Sequence, residues 1–569
     1  ALKISGGGKF ENTSNLSLND SKSKLQLDGA TISKVGIASV LIDGELNISS
    51  DSTIETLLHT GTSKINLGAN TTLTFTNSFE IPGNNTMEMV GTGIGRTVNL
   101  LDNIILTGTL KVSSENYNFS SGKLRLNGGL LNIAETMDLK ASIDHLASSR
   151  ISVQPEKTLK YSGDDLQVGS NTITLSGGGT IENTNKLILD NPASIVAMNG
   201  ISQISKISVT SALTNGKLSV GADAIIQVFE HTESSKLEIS DDASLTVQNV
   251  FEVPQNKSME LTGSDNGTLI LGDKFTLAGM LKISSPDKLS GGTLELKGGI
   301  LSVNENSVIE SALTHIVQSS INVISGKTLK YTGNVAKIGG LELTLSGGGF
   351  IDNSNDFTLD DPSSILVMSG IEISKVSFTE DLTNGQLTVD NDSVIKTLTN
   401  SKSSRIDIGN GDRLTVENSF EIPTNTNMHF VGSGSGIMKI SDTLTLSGNV
   451  KFVSPNYTLD NGTIALNGGT LESSDDVTIA SSIRHLNDST VIVDAGKTLT
   501  YSGDVLEIGD NALKMSGGGN FYNAGSLNLN HEDSVLKLDG ISKVEHVTFG
   551  ENLTGGFLDV DQNSKIQTI

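Results

Sequence analysis

The 569-residue sequence contains no cysteine, no tryptophan and only 8 prolines, and aromatic residues make up 4% of it. Without cysteine there are no disulfide staples, no thiolate metal sites and no thiol nucleophile, so stability rests on packing and backbone hydrogen bonds. So little proline argues against a Pro-rich linker and against collagen. No window of about 18 apolar residues occurs, so the sequence offers no membrane span. Charge excludes further classes. With 64 acidic against 39 basic residues the net charge is −25, spread along the chain. Such a chain repels phosphate backbones and anionic lipid surfaces, which speaks against nucleic-acid and peripheral membrane binding. The same charge keeps an elongated molecule soluble and attracts divalent cations.

What is present is glycine, 61 of 569 residues or about 11%, set among Asn, Ser and Thr. Self-similarity organises it. The tetrad Ser-Gly-Gly-Gly occurs at Ser5–Gly8, Ser176–Gly179, Ser346–Gly349 and Ser516–Gly519, at steps of 171, 170 and 170. Lys157-Thr158-Leu159-Lys160-Tyr161 returns as Lys327-Thr328-Leu329-Lys330-Tyr331 and Lys497-Thr498-Leu499-Thr500-Tyr501. Phe79-Glu80-Ile81-Pro82 returns as Phe251-Glu252-Val253-Pro254 and Phe420-Glu421-Ile422-Pro423, and Gly128-Gly129 as Gly298-Gly299 and Gly468-Gly469. Independent markers sharing one period establish tandem duplication. The superrepeats are 1–175, 176–345, 346–515 and the start of a fourth, 516–569.

Within a copy the texture alternates. Lys123-Leu124-Arg125-Leu126-Asn127 and Thr293-Leu294-Glu295-Leu296-Lys297 place apolar side chains at every second position and then break at a glycine pair. That is the period of short half-buried strands with turn punctuation. The best helical candidate, 133–146, has mixed apolar spacing and does not read as a helix. A train of sandwich domains predicts units of about 100 residues, and a propeller predicts a period of about 40 to 50. A parallel β-helix suits Gly and Asn corners, small polar outer faces and few aromatics, so the fold class expected is all-β, a parallel β-solenoid whose superrepeat spans several coils.

Gly292-Thr293-Leu294-Glu295-Leu296-Lys297-Gly298-Gly299-Ile300-Leu301-Ser302-Val303 and Gly326-Lys327-Thr328-Leu329-Lys330-Tyr331 resemble the right-handed β-helices of bacterial filamentous haemagglutinins, autotransporter passenger domains and giant surface adhesins. The resemblance runs the length of the chain as texture and brings no catalytic or receptor signature. It implies coils of about 20 to 25 residues, seven or eight to a superrepeat. At about 4.8 Å between strands a superrepeat would be about 35 to 40 Å long, and the whole chain about 110 to 135 Å.

Each candidate site has a structural reading beside its functional one. The tetrads lack the Gly-Lys-Ser/Thr and the following helix of a phosphate loop, so they read as turns. His145, His315 and His485 recur at 170, but the residue before each changes from Asp to Thr to Arg, which suits a corner hydrogen bond better than metal binding. His59 and His231 match each other, and their equivalent in the third copy is Asn400. Phe79, Phe251 and Phe420 read as core filling before a proline. Asp164-Asp165, Asp241-Asp242, Asp360-Asp361 and Asp390-Asn391-Asp392 match neither calcium loop pattern, leaving weak scattered calcium contacts as the expectation. Asn12-Thr13-Ser14 and Asn256-Lys257-Ser258 read as chance glycosylation triplets.

The sequence therefore predicts no catalytic, cofactor-binding or metal residue, no cofactor and no enzyme. It predicts a structural shaft section of a giant extracellular adhesin or cell-surface filament at a bacterial surface, presenting distal binding regions. The expected partners are copies of itself, with host, prey or surface glycans met by regions outside this sequence. The abrupt starts and stops at Ala1–Ile4 and Ser564–Ile569 read as a section cut from a longer protein. A homo-oligomeric fibre for prey capture or a sheath, and a glycan-binding or glycan-cleaving β-helix, are the alternatives.

Overall fold

In a β-solenoid, period-two sequences bury every second side chain in strands that hydrogen-bond to the next turn of the same chain. The computed structural model, which describes residues 1–263, 266–432 and 434–569, has this arrangement. The chain is all-β, a parallel β-solenoid of about 26 turns at roughly 22 residues per turn. No helix occurs among the described residues, and 133–146 falls across the strands Leu130–Ile133, Met137–Leu139 and Ser142–Ala147.

Contacts divide the chain into two units, Ala1–Gly292 and Thr293–Ile569. This division falls inside the superrepeat 176–345. The 170-residue period is thus a period of sequence, while packing is organised coil by coil.

A single coil of the first unit shows the plan. Its strands Thr172–Ser176, Thr180–Asn183 and Leu187–Leu189 pair in parallel with Ser149–Val153, Thr158–Tyr161 and Leu166–Gln167 of the coil before. They pair forward with Ile195–Asn199 and with the two halves of Gln203–Val209. Ile173, Leu175, Ile181, Leu187 and Leu189 point inward and are buried, while Thr172, Thr174 and Thr180 between them are partly exposed. Burying one Leu or Ile in this way contributes about 1.5 to 3 kcal/mol. Between Leu2 and Thr172, eight coils begin at Leu2, Lys24, Glu45, Ser63, Thr86, Thr109, Leu130 and Ser149. The second unit repeats the plan. Ser319–Val323, Glu342–Ser346 and Ile365–Ser369 are successive parallel rungs there, beside Thr328–Tyr331, Phe350–Asn353 and Glu372–Phe378.

The tetrads are the corners at which a coil turns from its first strand into its second. Gly347 and Gly348 have φ of +107° and +79°, and Gly349 N–H donates to Val323 O at 2.9 Å. The path is dictated from outside the turn, because a Cβ on Gly347 would lie 2.4 Å from the Val323 carbonyl oxygen of the coil before. Gly326, at the neighbouring corner with φ of +75°, has nothing within 4 Å of its Cβ position. Its glycine answers to backbone conformation alone. Urea unfolding should separate the two: Gly326→Ala is expected to cost about 1 kcal/mol from the left-handed backbone. Gly347→Ala, which adds a backbone clash, should cost clearly more.

Candidate functional site

The most regular polar feature lies inside the coils. Seven residues after each tetrad begins stands an asparagine: Asn12, Asn183, Asn353 and Asn523. The last three are at most 4% exposed. Asn353 Nδ2 donates to Asn355 O and to Lys375 O, both at 2.8 Å, and its Oδ1 accepts the N–H groups of Ser374 and Lys375 at 3.1 and 3.2 Å. Asn183 makes the same four bonds with Asn185, Lys206 and Ser205, and Asn523 with Gly525, His546 and Glu545. The amide closes a gap where the second strand ends and the next coil's backbone leaves its ladder. Sequence reasoning noticed only Asn12, as part of a chance triplet. The fixed offset of seven from the tetrad was the signal available.

The other recurrent markers resolve into similar stitches. Lys157 pairs with Glu135 of the previous coil at 2.5 Å, Lys327 with Glu305 at 2.6 Å and Lys497 with Asp475 at 2.6 Å. The tyrosine four residues on turns inward, and Tyr161, Tyr331 and Tyr501 accept the N–H of Ile143, Leu313 and Ile483 at 3.2, 3.2 and 3.3 Å. Burial pushes the Tyr161 and Tyr331 phenols up to about 12. The first glycine of each pair Gly128-Gly129, Gly298-Gly299 and Gly468-Gly469 donates its N–H to a buried hydroxyl one coil ahead, Ser149, Ser319 or Ser489. Phe79, Phe251 and Phe420 are each 5% exposed, and Phe251 stacks on Phe275 at 4.3 Å between centroids.

The histidines fall into two columns. His145, His315 and His485 donate from Nδ1 to the carbonyls of Val168, Ile338 and Ile508 at 2.8, 2.9 and 2.8 Å. A carbonyl only accepts, so the proton sits on Nδ1, and burial holds His145 and His485 below the ordinary imidazole range. His59 and His231 instead bond from Nε2 to Ser63 and Ser235. Asn400 occupies their place in the third copy.

Most of the acidic clusters are turn acceptors. Asp165 accepts the N–H of Lys186 and Asp392 that of Arg413, each at 2.8 Å. Asp164 accepts the Ser142 hydroxyl at 2.7 Å. Asp242 holds a turn position at φ of +56°. The most telling turn is Asp190-Asn191-Pro192 with its copies. Asp190, Asp360 and Asn530 accept the N–H of Gly169, Gly339 and Gly509 at 2.8, 2.9 and 2.8 Å. The next side chain, Asn191, Asp361 or His531, accepts a backbone N–H two residues on, at 3.0, 2.9 and 3.2 Å. Amide, carboxylate and imidazole serve equally because the turn needs a lone pair and no charge. Among the described residues, no group of three or more His, Asp or Glu could hold a metal ion.

One open surface departs from the repeat. On the first unit a trough of about 490 Å³ is lined by Asp138, Lys140, Lys160, Ser162, Glu182 and Gln227, with others. The register places Asp138 beside Lys160 and Lys160 beside Glu182. Among the described residues, none of Asp138, Lys140, Lys160 and Glu182 enters an ion pair. At the first, third and fifth of these positions the second copy has Val308, Lys330 and Asp352, and the third has Thr478, Thr500 and Tyr522.

The buried asparagine gives a sharp test. Asn353→Ala strands two carbonyls and two N–H groups and should cost at least about 3 kcal/mol in chemical unfolding. Asn353→Asp keeps the acceptor and loses both donors while burying a charge, so it should be no more stable than the alanine variant.

No protein-family model, no curated protein and no solved structure matches this chain.

Proposed function

We propose that the chain is a section of the shaft of a large extracellular adhesin or cell-surface filament, which sets the distance between a bacterial surface and distal binding regions. One observation carries this reading. The three-copy histidines and tyrosines are spent on bonds between adjacent coils, and those bonds return every 170 residues. A fold whose coils bond only to their neighbours lengthens by duplication without new topology. Acidic flanks oppose lateral clumping, and partners of the same kind would meet at faces repeated with the superrepeat.

The test is excision of one period. Removing residues 176–345 brings residue 175 onto residue 346, which stands at the equivalent corner, so the shortened protein should fold with an unchanged strand spectrum. Cells displaying the parent protein with this excision should attach as before. Loss of attachment would instead place the binding surface within this section.

The trough on the first unit favours a second reading, a glycan-binding β-helix. Unpaired charges of both signs beside hydroxyl and amide groups suit a polyhydroxylated ligand. Titration with a panel of neutral and anionic hexasaccharides tests it: binding abolished by Lys140→Ala with Lys160→Ala would support this reading, and no binding across the panel would remove it.

A further inference from the structure

Two imidazoles are sealed into the corners of equivalent coils. His59 ends the strand Ser52–His59 and His231 ends Ala224–His231, at 3% and 5% exposure. In each, Nε2 shares a hydrogen bond with a serine four residues on, Ser63 at 2.8 Å and Ser235 at 2.7 Å, and Nδ1 has no partner. A neutral ring tolerates this, since one of its nitrogens carries no hydrogen. An imidazolium tolerates it less, because both nitrogens become donors while Nδ1 is buried without a partner. At His231 the ring's own backbone carbonyl favours the charged form, but burial outweighs it.

Nearby charges do little to offset that cost. The strands packed against His59 carry Lys34, Lys64 and Glu80, and its own strand carries Glu55, all at outward positions. Around His231 the strands carry Lys206, Lys236, Glu238 and Glu252, and its own strand carries Glu230. Glu233 favours the charged form of His231, but it is held by Lys257 at 2.6 Å. In the third copy Asn400, 4% exposed, fills the same place four residues before Ser404.

We propose that these two corners are acid-operated clasps, closed while His59 and His231 are neutral and opened by their protonation, and that the coil bearing Asn400 lacks the device. The direction follows from burial, which lowers both imidazoles to about 4. An opened corner titrates near the ordinary value of about 6.5. Between these values the open form binds a proton that the closed form refuses. Closure is therefore fully stable above about pH 6.5 and weakens as the pH falls toward 4. The opening constant should rise about tenfold per pH unit in that window, or roughly 20-fold from pH 7 to pH 5.

Burial also holds His145 and His485 below the ordinary imidazole range, so the readout must be local. Hydrogen exchange followed by mass spectrometry at pH 7, 6 and 5, corrected for the intrinsic rate, can track segments 52–67, 224–239 and 393–408 separately. The first two should lose protection roughly 20-fold between pH 7 and pH 5, and the third should not. His59→Asn and His231→Asn should each erase the acid response of their own segment. Asn400→His should create one in the third segment. An equal acid response in all three segments would overturn the proposal, as would an Asn400→His protein that folds at pH 7 and stays protected at pH 5. Should the histidine variants fail to fold, Asn400→His decides alone.

Discussion

A coil of parallel strands satisfies its backbone only while it runs straight, and every corner takes N–H and C=O groups out of the ladder while keeping them away from water. Pairing those groups is the constraint on which the remaining features depend. Unmet, each buried group costs about 1 to 3 kcal/mol, and a chain of about 26 turns meets the problem several times per turn. The solutions are side chains that imitate backbone. The amide of Asn353 supplies two donors and an acceptor that takes two bonds, the Ser319 hydroxyl caps Gly298, and Asp360 caps Gly339. Glycine serves where a neighbouring carbonyl leaves no room for a side chain.

This constraint explains why the solenoid was legible in the sequence. Alternation in stretches such as 123–127 and 293–297 reports the ladder, and the glycine markers report its interruptions. The coil length and the eight coils in the first period agree with what the resemblance to bacterial β-helices implied. The buried asparagine column was not legible in the same way. Asparagine is common in turns throughout this chain, and nothing in composition separates an exposed turn amide from a sealed one. Only its constant distance from the tetrad does so, and that distance gains physical meaning once the strand ends are known. The trough around Lys160 escaped for a different reason: its lining comes from successive coils, about 22 residues apart in sequence, and no local window joins them.

Comparison among the copies separates geometry from chemistry more finely than the sequence alone. Where a hydrogen-bonding shape is required, residue identity holds, as with the asparagines and the serines of the glycine pairs. Where only an acceptor or a filler is required, identity drifts. His59 and His231 against Asn400 lie between these cases: the corner is kept, and the group filling it changes from one that titrates in mild acid to one that does not.

The turn that accepts Asp190, Asp360 or Asn530 at one position, and Asn191, Asp361 or His531 at the next, carries a wider consequence. Carboxylates there act as hydrogen-bond geometry, although Asp360 also meets Lys337 at 3.7 Å. The −25 of this chain is thus in part a by-product of how its corners are built. Exchanging Asp for Asn along such turns would move the isoelectric point upward while leaving the coils in place, which makes surface potential a property that can be rewritten independently of the fold.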